Sequence, residues 1–295
     1  MSARVIDGKA VAARVRAEVA EGVAAYAERT GYAPGLATVL VGEDAGSLVY
    51  VENKQKASAE VGMIAFDERL PANVSEEEVR ELLARLNGDP AINGVLLQLP
   101  LPAQLSGNEL TGLIDPLKDV DGLTPTNAGL LALGREGLRP CTPLGVMELL
   151  ADGGTTLDGA EAVIVGRSNL FGKPMAQLLL EANATVTTCH SHTHELAQVC
   201  ARADVLIAAT GRPRMVRRDW VREGAVVVDV GISRLTPEEA GNRSGLVGDV
   251  DFEAVRDVAS AITPVPGGVG PTTIAMLLRN TLQAACRQSE IELFV

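Results

Sequence analysis

Tyr50 and Lys54 stand four residues apart in a segment that reads as a helix from about Ser47 to Val61, so they share a face one turn apart. An aromatic ring there could wall a site while the ammonium supplies its charge chemistry. A solvated lysine beside a half-buried tyrosine is the ordinary origin of the same spacing. Gln98 lies in the middle of an otherwise apolar strand, GVLLQLPL at 94–101, just before Pro100 and Pro102 end it. A buried amide needs a hydrogen-bond partner, from the backbone or from a ligand bound at the end of a parallel strand. In KDVDG, Asp119 and Asp121 precede a glycine, a pattern that forms turns as readily as it offers a site carboxylate.

A second group of residues could hold phosphate. In AVIVGRSNLFGKP, residues 162–174, an apolar strand delivers Gly166 into a glycine-bounded loop, and Pro174 opens a helix at its first position. Glycine lets a ligand approach the backbone, and the helix points unpaired N–H groups at an anion. The spacing of Gly166 and Gly172 is not GxGxxG, so an ordinary turn between strand and helix has the same pattern. The next apolar run, ATVTTCH at 184–190, ends without the Asp or Glu that would bond the ribose of NAD. Arg167, Lys173 and Ser191 are candidates to hold a ribose phosphate, which predicts NADP over NAD.

All three histidines, His190, His192 and His194, alternate beside Cys189. One strand face could gather them for a metal. Thr193 and Glu195 read as a helix start that breaks such a strand, so a polar loop facing the cofactor is expected, and no metal. Short-chain dehydrogenases also carry YxxxK, but after their glycine-rich turn; here the pair precedes the turn by more than a hundred residues.

The elements that must position these groups alternate. A helix near 8–30 leads to a strand at 35–42, the helix with Tyr50 to a strand near 62–70, and a helix with the Ser75/Glu78 capping box to the strand with Gln98. A second box, Ser106 with Glu109, starts a short helix. Alternation of this kind predicts an α/β fold with a mostly parallel sheet. Dense Pro and Gly at 115–145 mark a boundary, after which Thr142 and Pro143 open a helix to about Leu150. Strands at 162–166, 184–190, 203–210 and 225–231 then predict a Rossmann-type sheet. A final helix, 272–286, is expected to cross back to the first domain. The domains expected are 1–140 with 272–295, and 141–271.

At 295 residues and 46% hydrophobic content the chain can fill two cores. A net charge of -12 argues against nucleic acid as a partner. The four cysteines form no CxxC pair, which fits a reducing cytoplasm. No apolar run approaches membrane-spanning length, so no membrane association is expected.

Along essentially its whole length the chain resembles the bifunctional methylenetetrahydrofolate dehydrogenase/cyclohydrolases. The matching segments are VGEDAGSLVYVENKQKA at 41–57, GVLLQLPLP at 94–102, DPLKDVDG at 115–122, PCTP at 140–143, GRSNLFGKP at 166–174, CHSHT at 189–193, DVGI at 229–232 and PGGVGPTT at 266–273. The resemblance implies a folate-binding α/β domain followed by a dinucleotide-binding one. It implies oxidation of 5,10-methylenetetrahydrofolate with NADP and hydrolysis of the methenyl product to 10-formyltetrahydrofolate, within one-carbon metabolism and purine biosynthesis. A monofunctional dehydrogenase is the alternative. It further implies that Tyr50 stacks on the folate, Lys54 is catalytic, Gln98 orients Lys54, and Asp121 bonds the pterin. Pro266 and Gly267 would line the folate site, Gly166, Arg167, Ser168, Ser191 and Ile232 would contact NADP, and the protein would be a homodimer. Ala45 and Gly46 replace the family's usual Pro-Ala and Thr272 its usual Met; neither change removes a reactive group.

Overall fold

The structure, a computed structural model, describes residues 2–235 and 245–292. The chain divides into two compact units, one of Met1–Ala12 and Thr142–Thr273, the other of Ala13–Cys141 and Ile274–Val295. The fold is α/β, each unit built on a parallel sheet.

In the unit that carries Lys54, the strand Gly35–Val41 is buried along its whole length, as a central strand of a covered parallel sheet must be. Ile64–Leu70 pairs with it on one side and Gly94–Leu97 on the other. Helix Ala45–Glu60 is capped by Asp44, whose carboxylate accepts the Ser47 N–H. Helix Glu76–Gly88 buries Val79, Leu82, Leu83 and Leu86 behind the reciprocal Ser75/Glu78 box. Ser106 caps Gly107–Thr111 by accepting the Glu109 N–H, but the Glu109 carboxylate faces Arg80 at 3.9 Å. One expectation is corrected here. The strand read at 94–101 ends at Leu97, so Gln98 stands just past it; its N–H still reaches the Val39 carbonyl. Pro100 has no N–H to extend the ladder.

The other unit holds six parallel strands in the spatial order Arg4–Val5, Ala261–Ile262, Val226–Asp229, Val205–Ala208, Glu161–Val165, Thr185–Cys189. Two residues were too few to announce the first of these, and they place the start of the chain in this sheet. From Glu161–Val165 the chain adds one strand on one side and then builds the next three on the opposite side. Its C-terminal end is therefore the topological switch point, where open α/β sheets bind ligands. Gly166 begins the loop there.

Helix starts differ slightly from expectation. Gly172–Glu181 makes Pro174 its third residue rather than its first, and Val269–Gln288 begins three residues early with Pro271 in its first turn. Neither proline costs a bond, because N–H groups of a first turn have no intrahelical partner. Helix Cys141–Asp152 starts one residue before Thr142. Among the described residues, no helix is long and apolar enough to cross a membrane. Removing the Ser75 cap with Ser75→Ala should lower the stability of the unit by about 1 kcal/mol. Urea denaturation checks this; an unchanged midpoint would deny the cap a role.

Candidate active site

Helix Ala45–Glu60 carries Tyr50 and Lys54 on one face, with the Lys54 ammonium 5.6 Å from the centre of the Tyr50 ring. Lys54 is only 7% exposed, unusual for a lysine and the decisive fact about this site. Its Nζ donates to Gln98 Oε1 at 2.9 Å. Gln98 Nε2 in turn donates to the Leu99 carbonyl at 2.7 Å, so the amide can only present its oxygen to the lysine. Leaving the strand at Leu97 is what frees Gln98 to do this. Burial pushes Lys54 below the ordinary lysine range, while the Asp121 carboxylate pulls it back up. Burial likewise raises the Tyr50 phenol and keeps it protonated.

Asp121 faces this lysine from a turn built by its neighbour. The fully buried Asp119 accepts the Leu123 and Thr124 N–H groups and the Asn127 side-chain amide. Asp119 is thus the turn former and Asp121 the half-buried carboxylate that the turn presents. Burial raises Asp121 above the usual carboxylate range; Lys54 opposes the rise and Asp119 adds to it.

Two residues that the sequence reading passed over complete the surroundings. Cys141 donates from Sγ to the Val120 carbonyl at 3.2 Å, and burial, then Asp121, push its thiol well above the usual range, so it stays protonated. Asn280, on the last helix, donates to the Val120 and Arg139 carbonyls at 2.8 Å each, fixing the backbone just before Asp121 and just before Cys141. A lone cysteine in PCTP was the only sequence signal for the first. Nothing local marks the second, whose partners lie about 140 and 160 residues away. Pro266 and Gly267 belong to the other unit, where Gly267 takes φ +105°, a conformation that favours glycine.

In that unit a cavity of about 280 Å³ opens at the switch point. Gly166, Arg167, Ser168 and Ser191 line it, together with Thr210 and Arg212, which the sequence reading did not single out. Two backbone approaches create the space. Gly166 has φ +141°, and a Cβ there would overlap the Ala209 carbonyl oxygen; a Cβ on Gly172 would overlap that of Gly166. Ser168 fastens the loop, its Oγ accepting the Phe171 N–H and its carbonyl the Lys173 N–H. Lys173 itself is directed elsewhere: its ammonium donates to Asn169 at 2.7 Å and lines no part of the cavity. Ile232 is an exposed apolar side chain outside the lining. The lining contains two arginines, two serines and no carboxylate. It fits a phosphorylated nucleotide, with the cradle of glycines supplying close approach and Arg167, Arg212 and Ser191 the charge and hydroxyl for a ribose phosphate.

His190 also lines the cavity, and its Nδ1 accepts the His192 N–H. Among the described residues no group of three or more His, Cys, Asp or Glu side chains is placed to hold a metal ion.

Two family models match the chain. The tetrahydrofolate dehydrogenase/cyclohydrolase catalytic domain matches residues 6–121, and the NAD(P)-binding domain of the same family matches 140–289. Among curated proteins, the bifunctional protein FolD of Dinoroseobacter shibae is 57% identical over 287 residues, covering 97% of this chain and 96% of its own. That of Erythrobacter litoralis is 55% identical over 293 residues, covering 99% and 98%. Among solved structures, the bifunctional enzyme FolD of Campylobacter jejuni matches with a TM-score of 0.92 and 45% identity, over 97% of this chain and 100% of that one. The Trypanosoma brucei enzyme, solved with NADP cofactor and inhibitor, matches with a TM-score of 0.93 and 41% identity, over 98% and 99%.

The division of labour between the two neighbouring aspartates can be measured. Asp119→Ala leaves two backbone N–H groups and an amide without their acceptor, at about 1–3 kcal/mol for each unsatisfied donor, so it should destabilise the protein by several kcal/mol. Asp121→Ala should leave the unfolding midpoint near that of the unaltered protein. Equal losses in denaturant titrations would contradict the assignment.

Proposed function

The chain belongs to the tetrahydrofolate dehydrogenase/cyclohydrolase family, and from that premise we propose that Lys54, held by Gln98, carries its chemistry on the folate. The protein is an NADP-dependent enzyme. It oxidises 5,10-methylenetetrahydrofolate to the 5,10-methenyl compound and hydrolyses that to 10-formyltetrahydrofolate. The monofunctional alternative is not favoured by its relatives, which are bifunctional proteins.

The single observation that carries the residue assignment is the 2.9 Å bond between Lys54 and Gln98 at a lysine removed from solvent. The cyclohydrolase step needs a group that takes a proton from the water attacking a cationic methenyl carbon. An ammonium cannot do so, and an exposed lysine near pKa ~10.4 would seldom be anything else at neutral pH. Burial raises the share of neutral amine at Lys54, and the cationic carbon, once formed beside it, favours that form further. Gln98 accepts one Nζ–H and so fixes where the nitrogen sits. The Tyr50 ring offers a flat apolar wall for the pterin, and Asp121 a carboxyl group to hydrogen-bond its ring nitrogens. Bound NADP supplies the acceptor for the hydride. Gly166, Arg167, Ser168, Ser191 and Ile232 are assigned to hold it, and Pro266 and Gly267 to border the folate.

We assign folate to the unit of Ala13–Cys141 and Ile274–Val295, and NADP to the unit that Met1–Ala12 forms with Thr142–Thr273. Four cysteines, all buried and unpaired, support a cytoplasmic protein. A homodimer follows from the family resemblance, and sedimentation velocity checks it.

Mixing the protein with 5,10-methylenetetrahydrofolate and NADP, while following reduced cofactor and methenyl absorbance together, tests the whole reading. Reduced NADP should appear with little methenyl; methenyl accumulating would deny the second step. Lys54→Met should lower hydrolysis by at least about 100-fold, the usual worth of a proton-transfer group, while NADP still binds. Since the neutral amine is the working form, hydrolysis should be slow where Lys54 is protonated. It should rise with pH through the depressed pKa and level off before the ordinary lysine value of ~10.4. A profile still climbing through that value would show an unperturbed lysine.

A further inference from the structure

Beneath one wall of the nucleotide cavity lie two stacked carboxylates that the mechanism does not use. Asp249 is fully buried, and its Oδ2 accepts the backbone N–H groups of both Thr210 and Gly211, the turn that follows strand Val205–Ala208. Thr210 lines the cavity, and its Oγ1 accepts the N–H of Arg212, which lines it too. The preceding residue, Ala209, presents the carbonyl against which Gly166 is packed. Asp249 therefore sets the turn that meets the glycine loop at the switch point.

Asp249 is in turn seated on Asp229, the last residue of strand Val226–Asp229. Asp229 accepts the N–H groups of Gly231 and Asp249 at Oδ1 and that of Val250 at Oδ2. Two glycines permit the stacking: a Cβ on Gly231 would overlap the Asp249 carboxylate, and one on Gly248 the Asp229 carboxylate. Asp249 Oδ1 has no hydrogen-bond partner among the described residues. A buried carboxylate with an idle oxygen is unfavourable for stability alone, and a neutral side chain would be easier to bury. What the other oxygen holds accounts for its presence.

We propose that Asp249, seated on Asp229, is a positioning residue for the nucleotide: it latches the Thr210–Gly211 turn and through it sets the cavity wall that carries Arg212. The inference rests on the assignment of this cavity to NADP. Without the carboxylate, two buried N–H groups lose their acceptor and the turn relaxes away from Gly166. The folate chemistry at Lys54 involves none of these groups.

The test compares the unaltered enzyme, Asp249→Ala and Asp249→Asn. NADP affinity is read by titration calorimetry, KM for NADP in the dehydrogenase assay, and hydrolysis of supplied methenyltetrahydrofolate with no nucleotide present. Asp249→Ala should weaken NADP binding and raise its KM about 10- to 100-fold, the worth of hydrogen bonds to a buried charged acceptor. Hydrolysis should stay within about twofold. Asp249→Asn keeps an acceptor oxygen facing the turn and should recover most of the affinity. Unchanged affinity in Asp249→Ala, equal loss of both activities, or no recovery in Asp249→Asn would each overturn the proposal. Failure of the unaltered enzyme to bind NADP would instead overturn the assignment of the cavity.

Discussion

Taking the Lys54 ammonium out of water is the constraint around which its unit is arranged. A charged lysine in that position is unfavourable unless it is bonded, and among the described residues the side chain bonded to it is an amide, which satisfies a donor without fixing a proton. A carboxylate in place of Gln98 would hold Lys54 charged. Asp121 is close enough to interact with the lysine but is itself raised by burial, so the pair moves together towards neutrality. The strand that ends at Leu97, the turn built on Asp119 and the anchoring by Asn280 all serve to bring these groups to one place.

The nucleotide unit obeys a different constraint, the distance between two pieces of backbone. At the switch point the Gly166 loop and the Ala209 turn touch with no room for a Cβ between them. Side chains cannot tune such a contact finely, so the turn must be held from behind, and buried carboxylates are suited to that because one oxygen can accept two N–H groups. Charge then completes the cavity: two arginines and no acid favour a phosphate on the ribose.

Much of this was legible in the sequence because it rests on local rules. The Ser75/Glu78 box, the alternation of helix and buried strand, and the glycine loop after an apolar strand are set by residues a few positions apart. Tyr50 and Lys54 were legible as a pair for the same reason, although their spacing could not tell a buried lysine from a solvated one. Gln98 was read inside a strand, and only the missing N–H of Pro100 explains why it stands outside. Asn280, Arg212 and Asp249 were not legible. Each acts on backbone groups or a cavity wall distant in sequence, and no periodicity records such a contact. Lys173, four residues after Asn169, had its charge claimed by a neighbour that local spacing makes available.

The central claim is that burial depresses the basicity of Lys54, and a direct titration of its side chain tests it. The chain has five lysines, so nitrogen-15 or carbon-13 labelling at the side-chain ends gives a spectrum simple enough to assign, with Lys54→Met identifying the signal. The account predicts that the Lys54 resonance titrates below the ordinary lysine value of ~10.4. A resonance that titrates at or above that value would contradict it, and with it the role of Lys54 as the proton acceptor.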